Sequence, residues 1–313
     1  MTDKEILQKS TLRLGVDVPD GNYIVKVLIG DESGKSEVTV KAQTRRLMVK
    51  EVVSGGLTEK EFAANVRGGK LTLEFYSHAP LVRGIDVKKA GDVTVIYIAG
   101  DSTVCDQGKE PWAGWGQMLP CFFTSKVAIA NHTYSGRSTK SFIENGRLYD
   151  ILKTIKEGDY LFVQFGHNDQ KEDWRHTEPY TTYKEMLKIY INEAREKGAI
   201  PVLVTPMHRR FFDKNGKIVN TLGQYPEAMR QLACEEGVFL IDLNAKSEKL
   251  FNHYGPEGTK ALFVYASPGD YPGYPDGIED NTHFSEFGAY ELARLVVEEI
   301  KEKGLPLAMY VKG

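Results

Sequence analysis

The sequence predicts an α/β protein in which a small antiparallel β-sandwich precedes a parallel sheet. Three observations predict it. Up to about residue 91 the apolar residues fall on every second position, and no convincing helical period interrupts them. Beyond that point short continuous apolar runs alternate with helical patterns, as strands buried on both faces and their crossover helices do. Glycines then stand between charged helix ends and the next apolar runs, where a left-handed capping residue belongs.

Taken in order, Leu12, Leu14, Val16 and Val18 alternate before the turn-forming stretch Pro19, Asp20, Gly21, Asn22. Tyr23, Val25, Val27 and Ile29 make the next strand, and Val38 and Val40 follow. Arg67 to Lys70 reads as a hairpin turn into Leu71 to Phe75, while Leu57 to Ala63 fits a helix or a strand. This gives an accessory sandwich domain over 1–91 and a second domain over 92–313. In the second, buried strands are expected at Val93–Ala99, Val127–Ala130, Tyr160–Phe165, Ile200–Thr205 and Val238–Ile241. The clearest helix puts Tyr183, Met186, Leu187, Tyr190, Ile191 and Ala194 on one face, with Thr182 and Glu185 spaced as a capping box. Gly158, Gly198 and Gly237 are the expected helix stops.

A chain of 313 residues, 41% hydrophobic and 27% charged, has the makings of an ordinary soluble globular protein. Its net charge of -3 offers no argument for nucleic acid or an anionic membrane as partner. No apolar stretch approaches the ~18 residues of a membrane span, and polar Met1 to Ser10 has no signal-peptide core. Three cysteines, Cys105, Cys121 and Cys234, are an odd number without metal-like spacing, so free thiols in a cytoplasmic setting are expected. Secretion or a periplasmic address is the alternative if an export signal precedes this sequence. The oligomeric state stays open.

In parallel sheets ligands bind beyond the carboxyl ends of the strands. Those ends carry Gly100-Asp101-Ser102, then His132 through Ser138, then Gly166-His167-Asn168-Asp169, then His208-Arg209-Arg210. Asp280 and His283 stand just before the last amphipathic helix, which Ser285 is placed to cap and whose inner face includes Leu292, Leu295, Val296 and Ile300.

The blocks Gly100-Asp101-Ser102, Gly136, Gly166-His167-Asn168-Asp169 and Asp280-x-x-His283, in this order, resemble the SGNH (GDSL) hydrolases. Ser135-Gly136-Arg137-Ser138 and Asp280 through Phe284 resemble their rhamnogalacturonan acetylesterase branch. The resemblance spans roughly residues 93–305. It implies a flavodoxin-like three-layer α/β/α fold, an oxyanion hole made by the Ser102 and Gly136 N–H groups and the Asn168 side chain, and a galactose-binding-like fold for the first domain.

The chemistry agrees with the residue types. A serine hydroxyl needs an adjacent base, which neutral imidazole supplies, and a carboxylate on the other ring nitrogen fixes the tautomer. Ser102 is therefore the candidate nucleophile, His283 the base and Asp280 its orienting acid, with Asp101 supporting the nucleophile turn. Ser138 is the competing nucleophile, but it lacks the second glycine of a nucleophile elbow. The phosphate-loop-like stretch Gly30 to Ser36 is one residue short, carries two acids and precedes a strand. Neither a calcium-loop nor a zinc spacing is present, so no metal and no cofactor is expected.

The expected substrate is an acetylated oligosaccharide or polysaccharide of pectic type, with Arg137, His208, Arg209 and Trp174 as candidate contacts. His132, His167 and His208 fit structural roles as readily as substrate binding. Trp112 also falls near the site loops, and Trp115 fits the core. Acetylated xylan, simple acyl esters, or a carbohydrate-binding protein with an inactive hydrolase domain are the rival readings. The first domain is expected to stabilise the second.

Overall fold

The structure, a computed structural model, describes residues 11–76 and 82–313. These divide into two compact units. One takes the chain up to Thr94 with Gln117–Ile129 and Tyr310–Gly313; the other takes Val95–Gly116 and Ala130–Met309.

In the first unit the strands β1 (Thr11–Asp17), β2 (Gly21–Ala42), β3 (Arg46–Val66), β4 (Lys70–Tyr76) and β5 (Val82–Lys89) form one antiparallel sheet. The hydrogen bonding is continuous across all five strands. The reason is length: β2 has 22 residues and β3 has 21, so both run through the whole unit. The amino half of β2 pairs with β5 and its carboxyl half with β4. Val25, Val27, Val40, Phe62, Leu71, Leu73 and Phe75 share one core. Thr58 to Ala64 lies across from Tyr23 to Ile29, which settles the ambiguous stretch as strand.

The second sheet contains β6 (Thr94–Gly100), β7 (Val127–Asn131), β8 (Tyr160–Gln164), β9 (Ile200–Val204) and β10 (Phe239–Ile241), in the order β10-β9-β8-β6-β7. The pairs β6–β8, β8–β9 and β9–β10 are parallel. In chain order this is 2-1-3-4-5, the flavodoxin-like arrangement. The chain departs to opposite sides of β6, so a crevice opens at the carboxyl ends of β6 and β8.

Between and after these strands come α1 (Trp115–Met118), α2 (Thr139–Glu144), α3 (Arg147–Leu152), α4 (Lys184–Glu196), α5 (Tyr225–Glu236), α6 (Leu243–Gly258, broken at Gly255) and α7 (Glu286–Glu302). A last strand pair, β11 (Phe263–Ala266) and β12 (Ile278–Phe284), lies outside the parallel sheet. Helix α4 buries Leu187, Tyr190, Ile191 and Ala194, the expected face. Its capping box does not form. Pro179 opens a π turn over Pro179–Tyr183, where proline's missing N–H costs nothing, and the chain enters α4 already helical. Thr182 Oγ1 instead accepts from the Glu178 N–H at 2.7 Å. Ser285 does cap α7, accepting from the Gly288 N–H at 3.1 Å, a contact worth about 1 kcal/mol. Leu292, Leu295, Val296 and Ile300 are buried behind it.

Candidate active site

Strand β6 delivers the chain to a turn with no spare room. A Cβ at Gly100 would stand 3.0 Å from both the Gln164 carbonyl oxygen and Val104 Cγ2. Asp101 Oδ1 accepts from the Thr103 N–H at 2.9 Å and from its hydroxyl at 2.7 Å, which tightens the turn around half-buried Ser102. Beneath it, Trp115 Nε1 donates to Gln164 Oε1 at 2.7 Å, and Gln164 Nε2 donates to Thr103 Oγ1 at 3.0 Å. Burial works to raise the Asp101 pKa, but His167 and Thr103 outweigh it and hold the carboxylate below its ordinary value. Trp115 is fully buried, as expected, and Asp101 supports the turn from inside the protein.

The other half of the constellation comes from β12. Val264 pairs with Asp280 and the adjacent Phe263 with Phe284, so Asn281, Thr282 and His283 bulge out of the ladder. Asp280 Oδ1 accepts from the Thr282 N–H at 2.6 Å and the His283 N–H at 2.8 Å, closing the bulge on itself. This brings together two side chains that a regular strand would send to opposite faces. Asp280 Oδ2 lies 2.9 Å from His283 Nδ1, and His283 Nε2 lies 2.9 Å from Ser102 Oγ. With the Nδ1 proton held by the carboxylate, Nε2 presents its lone pair to the serine hydroxyl. Desolvation would raise the Asp280 pKa, yet the hydrogen bond and charge of His283 keep it below the usual carboxylate value.

The other expected oxyanion donors come from the loops after β7 and β8. Gly136 has φ +77°, a left-handed conformation that suits glycine, in the loop after β7. Tyr134 N–H donates to the Gly100 carbonyl at 3.1 Å, holding that loop beside the nucleophile turn. Asn168 Nδ2 gives one proton to the Arg137 carbonyl at 3.0 Å, which leaves its second proton free. Among the described residues the Ser102 and Gly136 N–H groups have no protein acceptor. Unengaged donors of this kind are what a developing oxyanion needs.

A family model described as "GDSL-like Lipase/Acylhydrolase family" matches residues 98–289, the span that holds all of these groups. The chain belongs to that GDSL family. It is 54% identical over 214 residues to rhamnogalacturonan acetylesterase RhgT of Bacillus subtilis, covering 68% of this chain and 91% of that protein. A probable rhamnogalacturonan acetylesterase of the same bacterium, YesY, is 47% identical over 215 residues, covering 68% of this chain and 94% of its own. The crystal structure of YxiM, also from B. subtilis, superposes with a TM-score of 0.61 at 32% identity, over 94% of this chain and 81% of that one.

Within this GDSL site the remaining candidates meet different fates. Trp174 is exposed at 55%, and the Arg137 guanidinium lies 6.0 Å from its ring. His208 is a correction: its side chain is only 3% exposed, and its backbone N–H donates to Ser247 Oγ. Arg209 is half-buried, and its guanidinium donates to the Thr221 and His167 carbonyls at 3.2 Å each. His167 and His132 are buried as well. Ser138 caps α2, its hydroxyl accepting from the Ser141 N–H, which removes it as a nucleophile. The three cysteines are free thiols, and burial pushes Cys105 up to about 11, far from a reactive thiolate.

Three groups that the sequence placed near the site have roles it did not assign. Trp112 sets its edge against the His283 ring at 5.4 Å and is fixed by a 2.7 Å hydrogen bond to the Tyr274 hydroxyl. Arg210 donates to Asn281 Oδ1 at 3.0 Å and receives the bulge's backbone as well, its own N–H reaching the Asn281 carbonyl at 2.8 Å. Asp169 is buried beside Asn168 and accepts from the Thr139 N–H at 3.0 Å, from the Thr139 hydroxyl, and from the Thr177 hydroxyl at 3.1 Å. It thereby ties the α2 entrance, next to Gly136, to the Asn168 loop. Its Oδ2 has no partner among the described residues, and burial raises its pKa to about 7.

Proposed function

We propose that the protein is a serine acetylesterase that removes acetyl groups from pectic saccharides of the rhamnogalacturonan type. The observation that carries the esterase reading is the continuous relay Asp280–His283–Ser102, with 2.9 Å at both ring nitrogens. The glycan is taken from the acetylesterases RhgT and YesY, similar to this chain over two-thirds of its length.

Ser102 Oγ attacks the acetyl carbonyl carbon while its proton passes to His283 Nε2. The carbonyl oxygen takes the negative charge and is received by the Ser102 and Gly136 N–H groups and Asn168 Nδ2. Each such donor is worth about 3 kcal/mol in the transition state. The tetrahedral intermediate collapses, the sugar oxygen leaves with the proton from Nε2, and acetyl-Ser102 remains. Water, activated by the same nitrogen, then attacks the acyl carbon and releases acetate.

Mass spectrometry of defined acetylated rhamnogalacturonan oligomers should show loss of acetyl groups with the wild-type protein and none with Ser102→Ala. Asn168→Ala should lower kcat roughly a hundredfold with little change in KM, because the donor meets charge only in the transition state. A folded Ser102→Ala protein with near-normal turnover would sink the assignment.

A further inference from the structure

Next to the Gly136 turn stands a group of side chains that the ester chemistry does not use. The Arg147 guanidinium lies 3.7 Å from the centroid of the Tyr134 ring, and the Arg137 guanidinium lies 5.0 Å from the same ring. Arg137 also reaches toward Trp174, whose ring has the Arg175 guanidinium 5.8 Å away. Tyr134 and Trp174 are 46% and 55% exposed, large aromatic surfaces left open to solvent.

The acids of this region are already engaged. Asp173 is paired with Arg175, Asp150 with Lys153 at 2.7 Å, and Glu144 with Lys140. Among the described residues no carboxylate lies within ion-pair distance of Arg137 or Arg147. The Nε atoms of both arginines are hidden from solvent and have no hydrogen-bond partner. Burial first, and repulsion from Arg137 next, press the Arg147 pKa down, outweighing the more distant charge of Asp150.

The cluster is built into the catalytic turn. The Arg137 carbonyl accepts from Asn168 Nδ2 at 3.0 Å, and the Gly136 carbonyl accepts from Arg175 Nη1 at 3.4 Å. A sugar carrying an acetyl group to Ser102 would therefore bring its neighbours to these rings.

We propose that Tyr134, Arg137, Arg147 and Trp174 form a subsite for a uronic-acid residue adjoining the acetylated sugar, its carboxylate held by the two guanidiniums and its C–H face laid on the rings. This rests on the sugar-ester reading of the Ser102 centre. A neutral sugar would use the rings and leave the cations unanswered. A free phosphate would use the cations and leave the rings bare. An acidic sugar uses both.

The test is calorimetric binding of deacetylated oligogalacturonate, and of the same oligomer with its carboxyl groups reduced, to Ser102→Ala protein. The acidic oligomer should bind at least about tenfold more tightly. Arg147→Gln and Arg137→Gln should each erase most of that difference, and added salt should do the same. Trp174→Ala should weaken both oligomers alike. Equal binding of the two oligomers, or phosphate competing as strongly as the oligomer, would overturn the subsite. Steady-state kinetics on the acetylated forms of both oligomers keeps the two readings apart. Equal deacetylation rejects the uronate subsite and leaves the esterase standing. Hydrolysis of p-nitrophenyl acetate with no deacetylation of either oligomer rejects the sugar reading, and the subsite with it.

Discussion

Two strand ends of the second sheet carry the same kinds of side chain and use them in opposite ways. After β9, His208 is buried, Arg209 spends its guanidinium on the Thr221 and His167 carbonyls, and Arg210 on Asn281, Tyr265 and the Pro256 carbonyl. After β7, Arg137 and Arg147 lie against aromatic faces with no carboxylate and with buried Nε atoms unanswered. A cation at the mouth of an α/β sheet is therefore not a binding group by virtue of its place. What distinguishes the two sets is whether the protein itself has already supplied the acceptors. The inward set holds the machinery in position; the outward set keeps an unspent demand for an anion.

The sharpest way to break this division is Arg210→Ala. Asn281 would lose its guanidinium partner, and the bulge that presents His283 would be held less firmly. A displacement of about 1 Å at such a site costs on the order of a hundredfold. We expect kcat for p-nitrophenyl acetate to fall by roughly that factor with KM little changed, and Arg210→Lys to recover part of it. A rise in KM confined to acidic substrates would move Arg210 into the outward set.

A smaller effect is expected from Arg209→Ala. Its loss removes the guanidinium's hydrogen bonds to the Thr221 and His167 carbonyls, so urea unfolding should register a destabilisation of about 2 kcal/mol. The preference between acidic and carboxyl-reduced oligomers should not change. If that preference collapsed while stability held, Arg209 would be a substrate contact after all.

A third test applies the same reasoning within one carboxylate. Asp169 has Oδ1 fully occupied and Oδ2 unanswered, and its pKa stands at about 7 instead of the ordinary 3.8. A raised carboxylate pKa means the folded state holds the proton more tightly. Stability from this group is therefore full below pH 4 and is lost as pH rises to about 7. Asp169→Asn keeps an acceptor for Thr139 and Thr177 but cannot ionise. Its melting temperature relative to wild type should climb between pH 4 and 7 and level off above. A pH-independent difference would show that Asp169 is not the group titrating there.

What the sequence disclosed divides along a similar line. Ser102, Asp280 and His283 were legible because their positions relative to the strands are local, and the order of the blocks along the chain is itself information. The five runs that became the parallel sheet were legible for the same reason: each is apolar on both faces. The partners of the arginines were not, since Arg210 meets Asn281 across 71 positions and Trp112 meets Tyr274 across 162. No periodicity records such meetings. Even a local signal can lose to a nearer one, as when Pro179 started its turn ahead of the Thr182 cap. The continuity of the first sheet escaped because alternation reports which face a residue takes, not how far a strand runs.

The nucleophile and its base stand 181 positions apart in the chain. Closing so long a loop is a late event in folding, because contacts of high sequence separation must wait for the segments between them. By the time His283 leaves the ribosome, the nucleophile turn and all five strands of the parallel sheet have already been synthesised. Hydrolysis can begin only when the β12 bulge docks, so regained turnover after dilution from denaturant reports that docking. A chain cut short before Asp280 would retain the serine, its three donors and the sheet that supports them, and would have nothing to take the proton.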